Sequence, residues 1–252
     1  MALFNKIMSI ILPPRCALTG DIVDAPGMIS SKAWGSLRFV AAPCCVSCGV
    51  PFDIDSEAPE GVSDELSYQK CAVCIATPPL YTEARAAVVY DEQSRNLILA
   101  FKHADQTHLT VTFTPWLETL LIQNQWMIDY IIPVPLHWTR LFKRRYNQSA
   151  LLAHSLSQST KIPALVNCLK RMRATDTQAH LKVKDRHENV KNAFNISLPK
   201  RVTLTGKSIL LIDDVYTTGA TIHECTKTLF NAGVKAVYVV TLARAVRDDI
   251  SA

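Results

Sequence analysis

Within Lys207-Ser-Ile-Leu-Leu-Ile-Asp213-Asp214-Val-Tyr-Thr217-Thr218-Gly219-Ala220-Thr221, two carboxylates stand a few residues before three threonines and a glycine. Ser208 to Ile212 is a short apolar, β-branched run that predicts a buried strand of a parallel sheet ending at the carboxylates. Ile222 to Phe230 is amphipathic and predicts a helix, so the turn between lies where a strand ends and a helix begins. Backbone N–H groups, the positive end of the helix dipole and the hydroxyls make Thr217, Thr218, Gly219, Ala220 and Thr221 a cradle for a phosphate monoester, with Gly219 allowing close approach. Asp213 and Asp214 would repel that phosphate. As acceptors they suit the vicinal hydroxyls of a sugar, or water around Mg2+. A phosphate at one end and a diol in the middle describe a 5-phosphoribosyl group.

A second chemical signature lies upstream. Cys45-x-x-Cys48 and Cys71-x-x-Cys74 are two knuckles separated by 22 residues, the arrangement of a closed tetrahedral structural zinc site. Two disulfides or buried free thiols are the alternatives. With all four positions filled by protein, such a zinc keeps no open position for catalysis. Cys16 heads what resembles a knuckle whose second cysteine has become Thr19, and it has no evident partner pair. Cys44 falls outside the knuckle register. Cys168, in a strand expected over 164–169, and Cys225, in a helix, read as small buried hydrophobes.

These residues need a scaffold, and composition bounds it. The chain has 252 residues, 48% hydrophobic, enough for a sizeable core in one or two domains. Eight cysteines would suit a secreted framework. The Ile7 to Leu12 run is too short for an export signal or a membrane span, so a cytoplasmic protein with reduced or metal-bound thiols, not inserted in a membrane, is expected. Net charge is +5. Residues 1 to 82 carry 5 Lys+Arg against 8 Asp+Glu, whereas 136 to 207 carry 15 against 3, a net of +12. That concentration points to a polyanion, whether pyrophosphate, nucleic acid or both.

Along the chain, residues 1–82 read as a small zinc-ribbon domain and 83–252 as an α/β domain. A strand is expected from Ala84 to Tyr90, then a helix from near Asp91 to about His103, where Lys102 and His103 favour the C-terminal dipole. A further helix is expected over His108 to Asn124, with Pro115 kinking it or marking its true start. Tyr130 to Pro135 reads as a strand running into a basic loop, with a helix from about Ser149. In that loop Arg144, Arg145, Asn147 and Gln148 stand beside a helix N-terminus, a second anion site on the same sheet. Trp138, Phe142 and Tyr146, at i, i+4 and i+8, are either one helix's buried stripe or bases' stacking partners. A third basic segment, from Lys170, Arg171 and Arg173 to Asn189, reads as a mobile loop able to stabilise a leaving pyrophosphate. The last strand is expected over Lys235 to Leu242.

The Asp213 motif resembles the phosphoribosyl pyrophosphate (PRPP) motif of type I phosphoribosyltransferases. Taken with Cys45-x-x-Cys48-Gly49, Cys71-x-x-Cys74, Ala86 to Asp91, Phe101-Lys-His103, Pro133-Val-Pro135, Arg144-Arg-Tyr-Asn147-Gln148, Arg173-Ala-Thr175, and Arg186 to Phe194, the whole chain resembles the ComF family of competence-associated proteins. The resemblance implies a type I phosphoribosyltransferase fold, a mostly parallel sheet flanked by helices, with a small N-terminal zinc ribbon. It implies Mg-PRPP as ligand, with 5-phosphate on Thr217 to Thr221, diol on Asp213 and Asp214, and pyrophosphate near Arg144, Arg145, Asn147 and Gln148. The segment of Lys170, Arg171 and Arg173 would be the flexible loop that closes over it. Transfer of the 5-phosphoribosyl group to a nitrogenous acceptor, in a setting of DNA uptake with a helicase-like partner, is one expectation. The other is a non-catalytic protein that senses PRPP or a nucleotide and binds single-stranded DNA through its basic face.

Overall fold

The computed structural model describes residues 13–52, 69–102, 106–173, 190–196 and 204–246. Expected features at His103, Thr175, Arg186 and Asn189 lie outside the described residues.

Ser208–Tyr216 (β5) is one of the two inner strands of a four-stranded parallel sheet in the order β1-β6-β5-β2, with β1 at Glu83–Val89, β2 at Tyr130–Pro133 and β6 at Ala236–Arg244. Ile209 to Ile212 are fully buried because both faces of this strand are covered. On one face Ile209 and Leu211 meet Ile222, Cys225 and Leu229 of the helix Ala220–Phe230 (α7). On the other, Leu210 and Ile212 meet a cluster that includes Leu97, Phe101, Phe113, Leu117, Leu152 and Leu156. Those residues come from three helices, Glu92–Phe101 (α3), Thr110–Asn124 (α4) and Gln148–Thr160 (α6). The mostly parallel sheet flanked by helices is therefore present as expected.

Element ends differ from the sequence reading in four places. Strand β5 continues through Asp213 and Asp214 to Tyr216, since Asp213 pairs with Thr241 and Tyr216 with Arg244. Pro115 lies inside α4 and does not start it, the hydroxyl of Thr114 donating instead to the Thr110 carbonyl at 2.7 Å. Only Ala164 of the strand expected over 164–169 pairs with the main sheet, bridging Ile131. After a turn, Leu169–Arg171 (β3) pairs antiparallel with Phe194–Ile196 (β4) in a separate ribbon. Residues Trp138–Arg144 form a short helix, α5, capped by His137 and ended by Arg145 in the left-handed region, where a loop was expected.

The N-terminal part carries two short helices, Ser31–Ser36 (α1) and Ala72–Ala76 (α2), and lies against the sheet. Phe39 bridges Val88, with Val40 N–H donating to the Ala87 carbonyl at 2.9 Å and Val89 N–H to the Arg38 carbonyl at 2.8 Å. This segment covers the otherwise open edge of β1. Cys45, Cys48 and Cys74 belong to the same buried cluster as Ile209 and Leu211. No helix among the described residues is long and apolar enough to cross a membrane.

Leu211 has no exposed surface, so Leu211→Ala should cost about 2–5 kcal/mol through lost burial and the cavity left. Ile122→Ala, at a residue 75% exposed, should stay within about 0.5 kcal/mol. Urea unfolding midpoints at constant slope read both.

Candidate functional site

The parallel sheet brings its C-terminal strand ends to one side, where the β5–α7 connection lies. Gly219 sits in the left-handed region at φ 79°, ψ 0°, and caps α7. A Cβ there would strike the Tyr216 hydroxyl, so the turn requires glycine twice over, for its backbone angle and for space. Ala220 N–H points to the Thr218 hydroxyl at 3.5 Å, and Thr217 and Thr218 are half-buried. The turn thus presents threonine hydroxyls at the start of an 11-residue helix whose dipole favours an anion.

Asp213 and Asp214 are held apart by different partners. Oδ1 of Asp213 accepts from its neighbour's backbone N–H at 2.9 Å and from the Ser149 hydroxyl at 3.2 Å. Oδ2 of Asp214 pairs with Lys102 Nζ at 3.1 Å. Although Asp213 reaches solvent along one edge, protein surrounds it closely enough that desolvation, then the charge of Asp214, push its carboxyl up to about 7. Ser149 and Lys102 were not among the residues singled out for this site. Lys102 was assigned to the dipole of α3, and the sequence carried no signal that the end of α3 would face the end of β5.

Of the four residues expected to hold pyrophosphate, Asn147 caps α6 by accepting from Ser149 N–H at 3.1 Å, and its Nδ2 donates to the Val134 carbonyl at 3.0 Å. It pins the loop after β2. Gln148 is buried, its Oε1 accepting from Arg144 Nη1 at 3.3 Å. Arg145 ends α5 in the left-handed region at φ 68°. The N-terminus of 13-residue α6 stands within hydrogen-bonding distance of Asp213, so two helix starts flank the carboxylates. Lys170, Arg171 and Arg173 lie on or just after β3, so the expected loop begins later than Lys170. Arg171 is buried over the Phe194 ring, 5.4 Å from its centroid, whereas Lys170 and Arg173 are exposed. Burial weakens its charged form, then the nearby Arg140 does the same, while Asp213 acts the other way.

The four knuckle cysteines converge. Their Sγ atoms lie within 4.8 Å of one another, the one such group among the described residues, and all eight cysteines are free of disulfides. A tetrahedron with Zn–S bonds of about 2.3 Å has S···S edges of about 3.8 Å; Cys48 and Cys71 are 3.7 Å apart. Cys45 Sγ accepts from the N–H groups of Cys48 at 3.5 Å and Cys71 at 3.3 Å. Bonding from the Cys48 side chain holds Cys45 down at about 4, while the same bond, then burial, pushes Cys48 up. Four thiols this close compete for protons, a conflict that a dication resolves, so the donor set fits structural Zn2+. Gly49, at φ 65°, follows the first knuckle, and a Cβ there would lie 2.6 Å from the Ala84 carbonyl.

Cys16 keeps a knuckle-like turn, Gly20 N–H donating to its carbonyl at 2.9 Å, but Thr19 and Ser30 share a hydroxyl bond of 3.0 Å beside it. Cys44 bridges Pro51 outside the thiol cluster. Cys168 and Cys225 are fully buried, as expected of small apolar side chains. Trp138 and Phe142 are 70% and 87% exposed on α5, while the Tyr146 hydroxyl donates to the Phe101 carbonyl at 2.6 Å. The first two therefore form no buried stripe.

Residues 7–75 match the family model described as a double zinc ribbon domain. The chain is 36% identical to Competence protein F of Haemophilus influenzae over 188 residues, 72% of this chain and 82% of that protein. It is 29% identical to the DNA utilization protein YhgH of Escherichia coli K12 over 205 residues, 79% and 83% of the two chains. Among solved structures, the glutamine PRPP amidotransferase of B. subtilis complexed with ADP and GMP superposes at a TM-score of 0.39 and 17% identity. That overlap covers 57% of this chain and 30% of that one.

Metal analysis of the purified protein should find one zinc per chain, and Cys74→Ser should lose most of it to a chelator and unfold at lower temperature. The carboxyl of Asp213 gives a second test. Its proton is held to about 7 when folded but to about 4 when unfolded. Between those values the unfolded chain ionises first, so stability falls as pH rises through the window and levels off above it. Asp213→Asn should flatten that fall and melt higher than the parent at pH 7.5 but not at pH 4, in metal-free buffer.

Proposed function

The chain belongs to the ComF family of competence proteins, and from that we propose that it is a PRPP-binding, phosphoribosyltransferase-like protein serving DNA uptake or utilization. A parallel sheet with an acidic pair and a threonine-rich turn leaving an inner strand is the type I phosphoribosyltransferase arrangement. The observation that carries the reading is the placement of Asp213, Asp214 and the Thr217–Thr221 turn between the N-termini of α6 and α7.

In this reading the turn and the α7 dipole hold the 5-phosphate, and the ribose hydroxyls bond to Asp213 and Asp214. Arg144 and Arg145 face the pyrophosphate, with Asn147 and Gln148 fixing the loop that presents them. Lys102 holds Asp214 in place. Mg2+ accompanying PRPP would neutralise charge on the pyrophosphate, with the acidic pair bonding to its water shell. Stabilising the departing pyrophosphate is the main term in transferring the ribosyl group to a nitrogen acceptor. Lys170 and Arg173, exposed on and just after β3, would add positive charge near the same group.

A second reading is favoured by α5. Trp138 and Phe142 stand out into solvent on one face of α5, a helix whose sequence also carries Arg140 and Arg144. Exposed aromatic rings interleaved with cations suit the bases and phosphates of a single strand. The two readings are compatible, one ligand at the strand ends and the other along α5.

Calorimetric titration with Mg-PRPP tests the first. Saturable binding by the zinc-loaded wild type, lost in the double variant Asp213→Asn, Asp214→Asn, supports the PRPP site; no binding by the folded wild type sinks it. For the second site, Trp138→Ala with Phe142→Ala should weaken binding of a deoxythymidine oligomer at least tenfold and leave PRPP affinity unchanged. Affinity for the oligomer should fall steeply with salt in both proteins.

A further inference from the structure

The knuckle at Cys45 has a counterpart 29 residues upstream. Cys45 N–H donates to the Val50 carbonyl at 2.8 Å, Gly49 N–H to the Cys45 carbonyl at 2.9 Å and Phe52 N–H to the Pro43 carbonyl at 3.1 Å, with Cys44 bridging Pro51. The same bonds recur at the upstream positions. Cys16 N–H donates to the Asp21 carbonyl at 2.7 Å, Gly20 N–H to the Cys16 carbonyl at 2.9 Å and Val23 N–H to the Pro14 carbonyl at 2.9 Å, with Arg15 bridging Ile22. Gly20, at φ 73°, takes the left-handed position of Gly49. Cys16 therefore corresponds to Cys45, and Thr19 to Cys48.

The helical half repeats as well, at a spacing of 41 residues. Cys71 caps α2 at φ −68°, ψ 157°, and Ser30 caps α1 at φ −66°, ψ 157°. Ile75 N–H donates to the Cys71 carbonyl at 3.0 Å, and Trp34 N–H to the Ser30 carbonyl at 2.9 Å. Ser30 thus stands for Cys71, and buried Ala33 for buried Cys74. Knuckle and helix meet as they do in the thiol site. The Thr19 and Ser30 hydroxyls are 3.0 Å apart where the Cys48 and Cys71 sulfurs are 3.7 Å apart. Residues 13–37 are therefore one half of a double ribbon, in keeping with the domain that residues 7–75 match. Cys16 shows no partner pair in the sequence because both positions of that pair have lost their sulfur.

The four positions do not fit a metal. Zinc is held by thiolate, imidazole or carboxylate, whereas Thr19 and Ser30 offer neutral hydroxyls and Ala33 offers no donor at all. Their 3.0 Å separation is a direct hydrogen bond, shorter than the edge of about 3.8 Å that a zinc–thiolate tetrahedron needs. A polar network joins the halves instead. Ser30 Oγ accepts from Ala33 N–H at 3.3 Å, and the side chains of Thr19 and Ser30 hold the exposed Asp21 carboxyl below its ordinary range. Burial pushes the Cys16 thiol up, but the Thr19 side chain and the N–H groups of Ser30, Thr19 and Leu18 bring it down to about 7. Thr19 and Ser30 stand where Cys48 and Cys71 donate their N–H groups to Cys45 Sγ. The sulfur keeps its knuckle bonds without an ion.

We propose that residues 13–37 form a metal-independent ribbon, in which the hydrogen bonds of Cys16, Thr19 and Ser30 and the methyl of Ala33 replace a metal and its thiolates. Its task is to hold the cover over β1. Helix α1 leads directly into Arg38 to Val40, the segment that pairs with Ala87 to Val89, and Trp34 lies 4.7 Å from Phe39 and 6.0 Å from Trp116. The edge guarded by this half stays covered when zinc is lost from the other.

The test uses the full-length, zinc-loaded protein, with amide hydrogen exchange read before and after chelation. The amides of Cys16, Gly20, Val23 and Val40 should keep their protection to within about threefold, while those of Cys45, Gly49 and Phe52 should exchange roughly a hundredfold faster. Loss of protection in both halves overturns the proposal, as does a second zinc in the wild-type protein. A gain of site tests the correspondence of positions separately. Thr19→Cys, Ser30→Cys and Ala33→Cys together should raise zinc from one to two per chain and, with cobalt in its place, double the thiolate-to-metal absorbance. A folded triple variant that still binds one zinc overturns the assignment of those positions. The exchange measurement needs no variant, so it decides the matter even where the triple variant does not fold.

Discussion

Strand β5 is buried on both faces, and the remaining features of the molecule follow from where that burial ends. Ile209 to Ile212 have no exposed surface, so neither face of that run has room for a charge without a partner. The first carboxylates are therefore possible only where the covering helices give way. At that point the strand keeps its backbone pairing to β6 as far as Tyr216, with two carboxylates in place of apolar side chains. The sheet thus provides stiffness for the acidic pair and the helices provide the two N-termini beside it. Asp213 and Asp214 are placed by backbone hydrogen bonds, and a loop could not hold them as firmly.

The zinc knuckle is tied to this end of the sheet by charge. Four thiolates need more positive charge than one dication supplies, and Arg244 contributes it from the last strand through the bond to Cys48. Burial alone would weaken the guanidinium's charged form, but the Cys48 thiolate, Tyr216 and Tyr81 hold it protonated. The same arginine stacks on Tyr216, and Tyr216 bounds the space beside Gly219. A contact chain of four residues therefore runs from metal to phosphate-type turn. A freestanding ribbon would need none of it, whereas here the ribbon shares its core with Ile209 and Leu211.

Legibility in the sequence tracked how local each cause was. The apolar run at 208–212 announced a strand covered on both faces because such burial leaves no alternation to misread, and the run at 235–242 announced the last strand. The cysteine spacing announced convergence, since two tight turns suffice to aim four thiols. Trp138–Arg144 was read as loop because a seven-residue helix carries too few turns to show a period, and its start depends on the His137 ring as cap. The strand expected over 164–169 failed at the turn centred on Asn167, where the chain leaves the main sheet to pair with Phe194–Ile196. Lys102, Ser149 and Arg244 were beyond local reading. Each acts through a contact across the fold, 112, 64 and 196 residues away in the chain.

Compensation at the carboxylates constrains any ligand that uses them. Asp214 already holds Lys102, and Asp213 resists ionisation beside it. A diol offers two donors and asks for no charge, so it can bond to Asp213 in its present state. A hydrated dication brings charge, lowers the cost of ionising Asp213, and competes with Lys102 for Asp214. Lys102 is the last residue of a helix end and only one covalent step from Phe101, whose ring lies in the core and whose carbonyl accepts from Tyr146. Displacing its ammonium therefore calls for rotation of a side chain and no backbone movement. On the proposed reading, one cation replaces another there while the sheet and both helix N-termini stay where they are.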